Sequence, residues 1–318
     1  MPSSKENESP KISVADFVEK SFAKLGIEVL AGKKGLHKKQ IASKRIQKFG
    51  LALAGFTHYI NEGRIQIVGQ SEISYLSQLE SAKRIEAINN LDLEKICCIL
   101  ITKKLVPPEE LLNIADERNL PILRTAQVSS NAISYISSFL LETLAPQITL
   151  HGVLIGMYEL GVLLLGESGI GKSECALDLI ARGHRLVADD AVLIKKLGEN
   201  LEGFSPELTR GHLEIRGLGI INVRDLFGVS AVASCKKIEL CIEFQKWQDV
   251  LEVERLGLDR QEKEIFGVKI TKYILPVSAG RNLSTLVETA VRVHLLKVAG
   301  FDAAQKLIAK HSAIVGGQ

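Results

Sequence analysis

The sequence predicts two α/β domains. A small one occupies residues 1–147. A phosphate-loop domain in residues 148–318 runs through strands into a helical C-terminal end. Three observations lead there. The chain has 318 residues, about twice the length of a typical domain of roughly 150. Its first half alternates short apolar runs with amphipathic stretches. Its second half holds a glycine-rich loop between an apolar strand and a helical pattern.

In order along the chain, residues 1–11 read as a polar tail. Val14 to Leu25 repeats its hydrophobes every three to four residues, as a helix does. Residues 33–48 carry seven lysines and arginines; a solvated face is the first reading and a phosphate-contacting patch the second. Arg64 to Val68 reads as a strand and Glu72 to Leu79 as a helix. Ile96 to Thr102 is a continuous apolar run, the mark of a central strand covered on both faces. Pro107 and Pro108 open a helix ending near Arg118. Ile122 to Arg124 is a strand, and Ser130 to Leu144 a helix stopped by Pro146. No catalytic constellation is visible in this half. In the second half, Gly161 to Leu165 and Leu186 to Ala188 are strands, and strands with glycine turns continue to Val277. Ser173 to Ala181, Leu283 to Leu296 and Phe301 to Lys310 are helical.

Composition narrows the class. Hydrophobic residues make up 46% and charged residues 24% of the chain, which excludes a disordered or low-complexity protein. A formal charge of +3 gives no electrostatic footprint for nucleic acid or a membrane surface. The cysteines at 97, 98, 175, 235 and 241 show no CxxC spacing and have apolar flanks. They are expected to be reduced and buried, in a cytoplasmic protein. No apolar run is long enough to span a bilayer, and the N-terminus lacks a signal-peptide core.

The chemistry starts at Gly166-Glu167-Ser168-Gly169-Ile170-Gly171-Lys172-Ser173, a full phosphate-loop pattern. Its glycines let backbone N–H groups curl round phosphate oxygens, and the following helix points its positive end at the same anion. Lys172 supplies a mobile cation, and Ser173 a hydroxyl ligand for Mg2+. No NKxD-like segment follows the loop, so ATP is expected rather than GTP. Asp189 and Asp190 end the next strand, where carboxylates face the ligand crevice of α/β sheets. One would take a proton and the other hold Mg2+, in an order the residues leave open. Glu214 and Arg216 lie in an apolar run beside two glycines, and burying them unpaired would be costly. Glu214 as a metal ligand and Arg216 as partner of an acid or phosphate is one reading; a structural ion pair in a turn is the other. His151 reads first as a structural histidine just before the strands. Arg281 suits a phosphate clamp or a helix cap equally.

Taken together, HGV at His151–Val153, GESGIGKSE at Gly166–Glu174, RGHRLVADD at Arg182–Asp190, LEIRGLGIINV at Leu213–Val223, ERLGLD at Glu254–Asp259 and PVxxGRN at Pro276–Asn282 resemble the bacterial HPr kinase/phosphorylase family. The resemblance implies a catalytic domain related in fold to phosphoenolpyruvate carboxykinase. It implies phosphorylation of a serine in the phosphocarrier HPr or an HPr-like protein, with ATP and often pyrophosphate as donor. It also implies phosphorolysis by inorganic phosphate, yielding pyrophosphate, and a homo-hexamer. Carried onto this chain, Asp189 is the base for the serine and the acid in reverse, with His151 tuning its protonation. Lys172 holds the transferred phosphate. Ser173, Asp190 and Glu214 serve Mg2+. Arg255 meets the phosphate or phosphoserine, and Arg281 belongs to a loop of the phosphorylase direction. Residues 1–147 take a regulatory or assembly role. The family often has Arg-Pro where this chain has Ser278-Ala279, and Met-Asn where it has Arg292-Val293. The rival readings are a kinase with the same loop acting on another protein or a small molecule, and a nucleotide-gated scaffold, which would have no need of Asp189.

Overall fold

Apolar runs bounded by turns become strands here, and the strand stacking decides which side chains meet. The structure, a computed structural model, describes residues 10–53, 55, 60–246, 261–278 and 280–301. The expected tail up to residue 9, and the expected last helix beyond Phe301, lie outside the described residues. The chain divides into two compact units, Met1–Pro146 and Gln147–Gln318.

The first unit runs β1 (Ile12–Ser13), α1 (Val14–Leu25), β2 (Glu28–Ala31), β3 (Gln40–Ile41), β4 (Gln47–Lys48), α2 (Gly50–Leu53), β5 (Ile65–Val68), α3 (Gln70–Gln78), α4 (Ser81–Asn89), β6 (Cys98–Ile101), α5 (Glu109–Glu117), β7 (Ile122–Arg124) and α6 (Ser129–Thr143). Its five-stranded sheet has the order β2-β7-β6-β5-β4, parallel from β4 to β7, with β2 antiparallel at the edge. The apolar run becomes the central strand β6, whose residues alternate between two cores. Ile99 and Ile101 pack with Ile73 and Leu76 of α3, Ile88 of α4 and Leu111 of α5. Cys98 and Leu100 pack with Phe17 of α1 and with Ile136 and Leu140 of α6. Helices on both faces explain why this strand is apolar throughout. Helix α4 was not expected. Ile88 is its only buried residue, so it gives almost no periodic signal. Polar groups dock it instead: Arg84 donates through Nε to the Leu76 carbonyl at 2.8 Å and pairs with Glu110 at 2.8 Å.

The second unit runs β8 (Gln147–His151), β9 (Val153–Met157), β10 (Leu160–Gly166), α7 (Lys172–Ala181), β11 (Arg185–Ala188), β12 (Ala191–Leu197), β13 (Asn200–Phe204), β14 (His212–Ile215), β15 (Gly219–Asn222), α8 (Val223–Phe227), β16 (Cys235–Lys246), β17 (Gln261–Ile265), β18 (Val268–Val277) and α9 (Leu283–Val298). The main sheet is mixed, ordered β11-β9-β10-β16-β13-β12-β8, and β18 joins β16 with β17 outside it. β10 lies between antiparallel β9 and parallel β16. The resulting core holds Val162 and Leu164 of β10, Leu179 of α7, Ile242 of β16 and Val287 of α9. β14 and β15 form a separate hairpin.

Gly161 marks the closest approach in the sheet. A Cβ there would stand 2.0 Å from the Lys237 carbonyl oxygen, at the point where the β10–β16 register shifts. Because the obstacle is backbone, the clash cannot relax by a rotamer change. Gly161→Ala is expected to destabilise the second unit by about 3 kcal/mol, the upper range for overpacking. A denaturant melt with a midpoint equal to the parent's would refute this.

Cysteines 97, 98, 175 and 241 are buried and free, but Cys235 is exposed. That corrects the expectation of burial for all of them: Cys235 opens a long strand and its side chain faces outward. Among the described residues no helix is long and apolar enough to cross a membrane.

Candidate active site

The parallel pairing of β10 with β16 ends at Gly166, and the chain turns through residues 166–171 into α7. Gly166, Gly169 and Gly171 have φ of 145°, 77° and 100°, which side chains rarely tolerate. The turn therefore requires glycine at these points. It places the start of α7 over a cleft of about 130 Å3. The lining comes from four places: the loop with the first turn of α7, the end of β11 at Asp189 and Asp190, the end of β8 at His151, and the hairpin at Glu214 and Arg216.

Lys172 is buried and donates from Nζ to the carbonyl oxygens of Gly166 and Glu167, each at 2.9 Å. Burial lowers its proton affinity, while Asp189, Asp190 and Glu174 act the other way. Asp189 is also buried. Its Oδ1 accepts from the Ser173 hydroxyl at 2.9 Å and its Oδ2 from the Glu214 N–H at 3.1 Å. Burial raises its pKa above the ordinary aspartate value, against the pull of these hydrogen bonds. A carboxylate so held is oriented and easier to protonate than one in water, as a proton-transferring group requires.

Asp190 adopts φ 64° and is exposed. The turn at the strand end lets both neighbouring acids reach one cleft, although their side chains would alternate in a regular strand. His151 Nδ1 lies 3.0 Å from Asp190 Oδ1 and 3.1 Å from its carbonyl oxygen. Nδ1 therefore carries the proton in the neutral ring, which leaves Nε2 as the acceptor. His151 is the last residue of β8, paired opposite Ala191 of β12. This corrects its expected place before the strands and explains its contact with a residue 39 positions away.

The residues that the family resemblance assigns to Mg2+ are Ser173, Asp190 and Glu214. All three line the cleft and offer hard oxygen donors. Because the Ser173 hydroxyl donates its proton to Asp189, both Oγ lone pairs remain for a cation. The described residues contain no group of three or more His, Cys, Asp or Glu side chains able to hold a metal by themselves.

The other expected residues fall as follows. Glu167 is not among the residues lining the cleft; it pairs with Lys246 at 2.7 Å, and this lysine holds its carboxyl below the usual range. Ile170 packs against the core. Ser168 lines the cleft. Arg281 is exposed in the turn before α9 and does not line the cleft, and its N–H donates to the Ser278 carbonyl at 3.3 Å. Arg255 lies outside the described residues. Glu214 and Arg216 are exposed on the hairpin, which removes the expected burial penalty, and neither is in an ion pair among the described residues. Arg292 donates to the Tyr158 hydroxyl at 2.8 Å and to Glu288 at 3.0 Å. Glu174 also lines the cleft and was not expected. Its only signal is its place one residue after Ser173, in the first turn of a helix, where an acid is favoured.

Residues 12–140 match the family model described as HPr Serine kinase N terminus, and residues 142–311 match the HPr Serine kinase C-terminal domain. An HPr kinase/phosphorylase of Geobacter sulfurreducens is 44% identical over 307 residues, covering 95% of this chain and 96% of that protein. One from Caldicellulosiruptor bescii is 43% identical, covering 91% and 94%. Among solved structures, the HPr(Ser) kinase/phosphatase from Coxiella burnetii is 37% identical over 50% of this chain and 98% of that one, with a TM-score of 0.47.

Proposed function

The chain belongs to the HPr serine kinase family, and from that premise we propose that it transfers the γ-phosphoryl group of ATP to a serine of HPr or an HPr-like phosphocarrier. Residues 148–318 are the catalytic part and residues 1–147 the regulatory or assembly part. The observation that supports this best is the buried, hydrogen-bonded Asp189 beside the phosphate loop, 2.9 Å from Ser173 Oγ. The acceptor's hydroxyl oxygen attacks the γ-phosphorus, the bond to ADP breaks, and the hydroxyl proton passes to Asp189. His151, through Asp190, shapes the field in which Asp189 gives and takes that proton. Lys172 and the loop N–H groups hold the phosphate oxygens in place. Mg2+, held by Ser173, Asp190 and Glu214, would neutralise phosphate charge. Pyrophosphate presents the same phosphoanhydride to the same cradle and serves as a second donor. The test is incubation with purified HPr, Mg2+ and labelled ATP, followed by mapping of the modified residue. Label on one HPr serine is expected. Label absent from HPr, but present on a small molecule or another protein of the same cells, would replace this reading with the rival kinase.

The reverse reaction is proposed to be the slower one. Inorganic phosphate attacks the phosphorus of phosphoserine, pyrophosphate forms, and Asp189 returns a proton to the serine oxygen. Two anions must then lie side by side, and this chain has Ser278 where relatives often have arginine. A guanidinium is shaped to bridge such anions and a hydroxyl is not. With phosphoserine-HPr, Mg2+ and millimolar phosphate, pyrophosphate release is expected to lag the forward rate and to rise in Ser278→Arg. Release as fast as the forward reaction would overturn the assignment.

A further inference from the structure

The hairpin turn carries Arg216, and its guanidinium lies directly on Gly169 of the phosphate loop. A Cβ added at Gly169 would meet Nη2 at 3.1 Å and Nη1 at 3.3 Å. Four carboxylates line the same cleft, those of Glu174, Asp189, Asp190 and Glu214. Even so, none is in an ion pair with Arg216, and no hydrogen bond engages its guanidinium among the described residues. Lys172, the other permanent cation of the lining, is already engaged by two loop carbonyls. A planar fork of donors therefore stands unengaged at the mouth of an anion cradle. It is also placed with care, because the Glu214 N–H, two residues earlier, donates to Asp189 Oδ2 at 3.1 Å. One element thus positions the base and the arginine together.

We propose that Arg216 is a catalytic residue of the transfer, contacting the oxygens of the migrating phosphoryl group and neutralising the charge that spreads over them in the transition state. Position 169 then has a second reason to be glycine besides its φ: a side chain there would push the guanidinium off its position. This rests on the reading of the cleft as a phosphoryl-transfer site. A guanidinium matches paired phosphate oxygens in a way an ammonium does not. Removing one such donor from a preorganised site costs on the order of 10²–10³-fold in turnover.

The experiment compares Arg216→Ala and Arg216→Lys, together with Gly169→Ala and Gly171→Ala in both the parent and the Arg216→Ala background. Gly171 is the control: its φ is as unfavourable for alanine, but a Cβ there meets Leu283 Cδ1 at 3.2 Å and not the arginine. Arg216→Ala is expected to lower kcat for HPr phosphorylation about 10²-fold, with a smaller rise in KM for ATP, and lysine to restore only part. Gly169→Ala should cost a smaller factor in the Arg216→Ala background than in the parent, whereas Gly171→Ala should cost the same factor in both. Parental kcat in Arg216→Ala, or an equal Gly169→Ala loss in both backgrounds, would overturn the proposal. Calorimetric titration with pyrophosphate separates it from the kinase reading. If the parent binds pyrophosphate but does not phosphorylate HPr, the kinase reading fails. The role of Arg216 then stands if Arg216→Ala weakens that binding and flattens its salt dependence, and falls if both are unchanged.

Discussion

Asp189→Asn should lower transfer to the acceptor serine by roughly 10²–10⁴-fold, the range for losing a positioned general base, while nucleotide affinity stays close to the parent's. The reason lies in what each contact does. The substituted side chain can keep both hydrogen bonds, its amide oxygen accepting from the Glu214 N–H and its amide nitrogen donating to Ser173 Oγ, so the cleft should hold its shape. What disappears is the ability to take up a proton. The lower end of the range is favoured because phosphoryl transfer passes through a loose transition state that asks little of a base. The pH profile gives a second check. Burial raises the Asp189 pKa, so the forward rate of the parent should fall on acidification at a higher pH than an ordinary aspartate would dictate. Phosphorolysis, which needs the proton, should move the opposite way. The sign for stability follows from the same shift. A carboxyl whose pKa is higher folded than unfolded contributes stability that is full below the unfolded value, near 3.8, and lost as pH rises through the folded value. The uncharged amide escapes that loss, so the variant should melt no lower than the parent at about pH 7, with any advantage fading below about pH 4. Turnover near the parent's, with HPr as acceptor, would remove Asp189 from the role of base.

How far the sequence reveals this site depends on how local each part is. The phosphate loop is contiguous, and its glycines, lysine and serine declare themselves by spacing. Asp189 announces itself by standing at the end of the first strand after the loop helix. His151 does not, because its significance comes from the β8–β12 pairing that sets it against Asp190, and a lone histidine carries no trace of that pairing. Only the family resemblance singled it out. Arg216 was visible as an anomaly, a charge within an apolar run. The run is a hairpin whose Leu213 and Ile215 are buried while Glu214 and Arg216 are exposed and line the cleft, so burial of the charges was the wrong inference. In the first unit, the apolar run Ile96 to Thr102 identified the central strand. Helix α4 stayed hidden because Arg84, not a hydrophobic stripe, docks it.

Lys172→Ala should weaken both binding and transfer, and for both donors. The ammonium is expected to leave the carbonyls of Gly166 and Glu167 when phosphate enters, exchanging two neutral acceptors for charged oxygens. A hydrogen bond to a charged group contributes about 1.5–3 kcal/mol, so affinity for an ATP analogue should fall by roughly tenfold to a hundredfold. Pyrophosphate should suffer at least as much, since it has no nucleoside contacts to compensate. The loss in turnover should exceed the loss in affinity, because charge on the migrating group is greatest in the transition state and only interactions stronger there accelerate the step. Arginine is a poor substitute at this position. Lys172 is only 6% exposed, and a planar fork does not reproduce the contacts of a compact ammonium on a four-carbon stem. The fold should survive alanine, since the carbonyls of Gly166 and Glu167 can take water in place of the ammonium. Calorimetry with a non-hydrolysable ATP analogue and with pyrophosphate, run beside HPr phosphorylation, separates the terms. Unchanged affinity for both ligands together with unchanged turnover would show that Lys172 closes the loop on itself and never meets the phosphate.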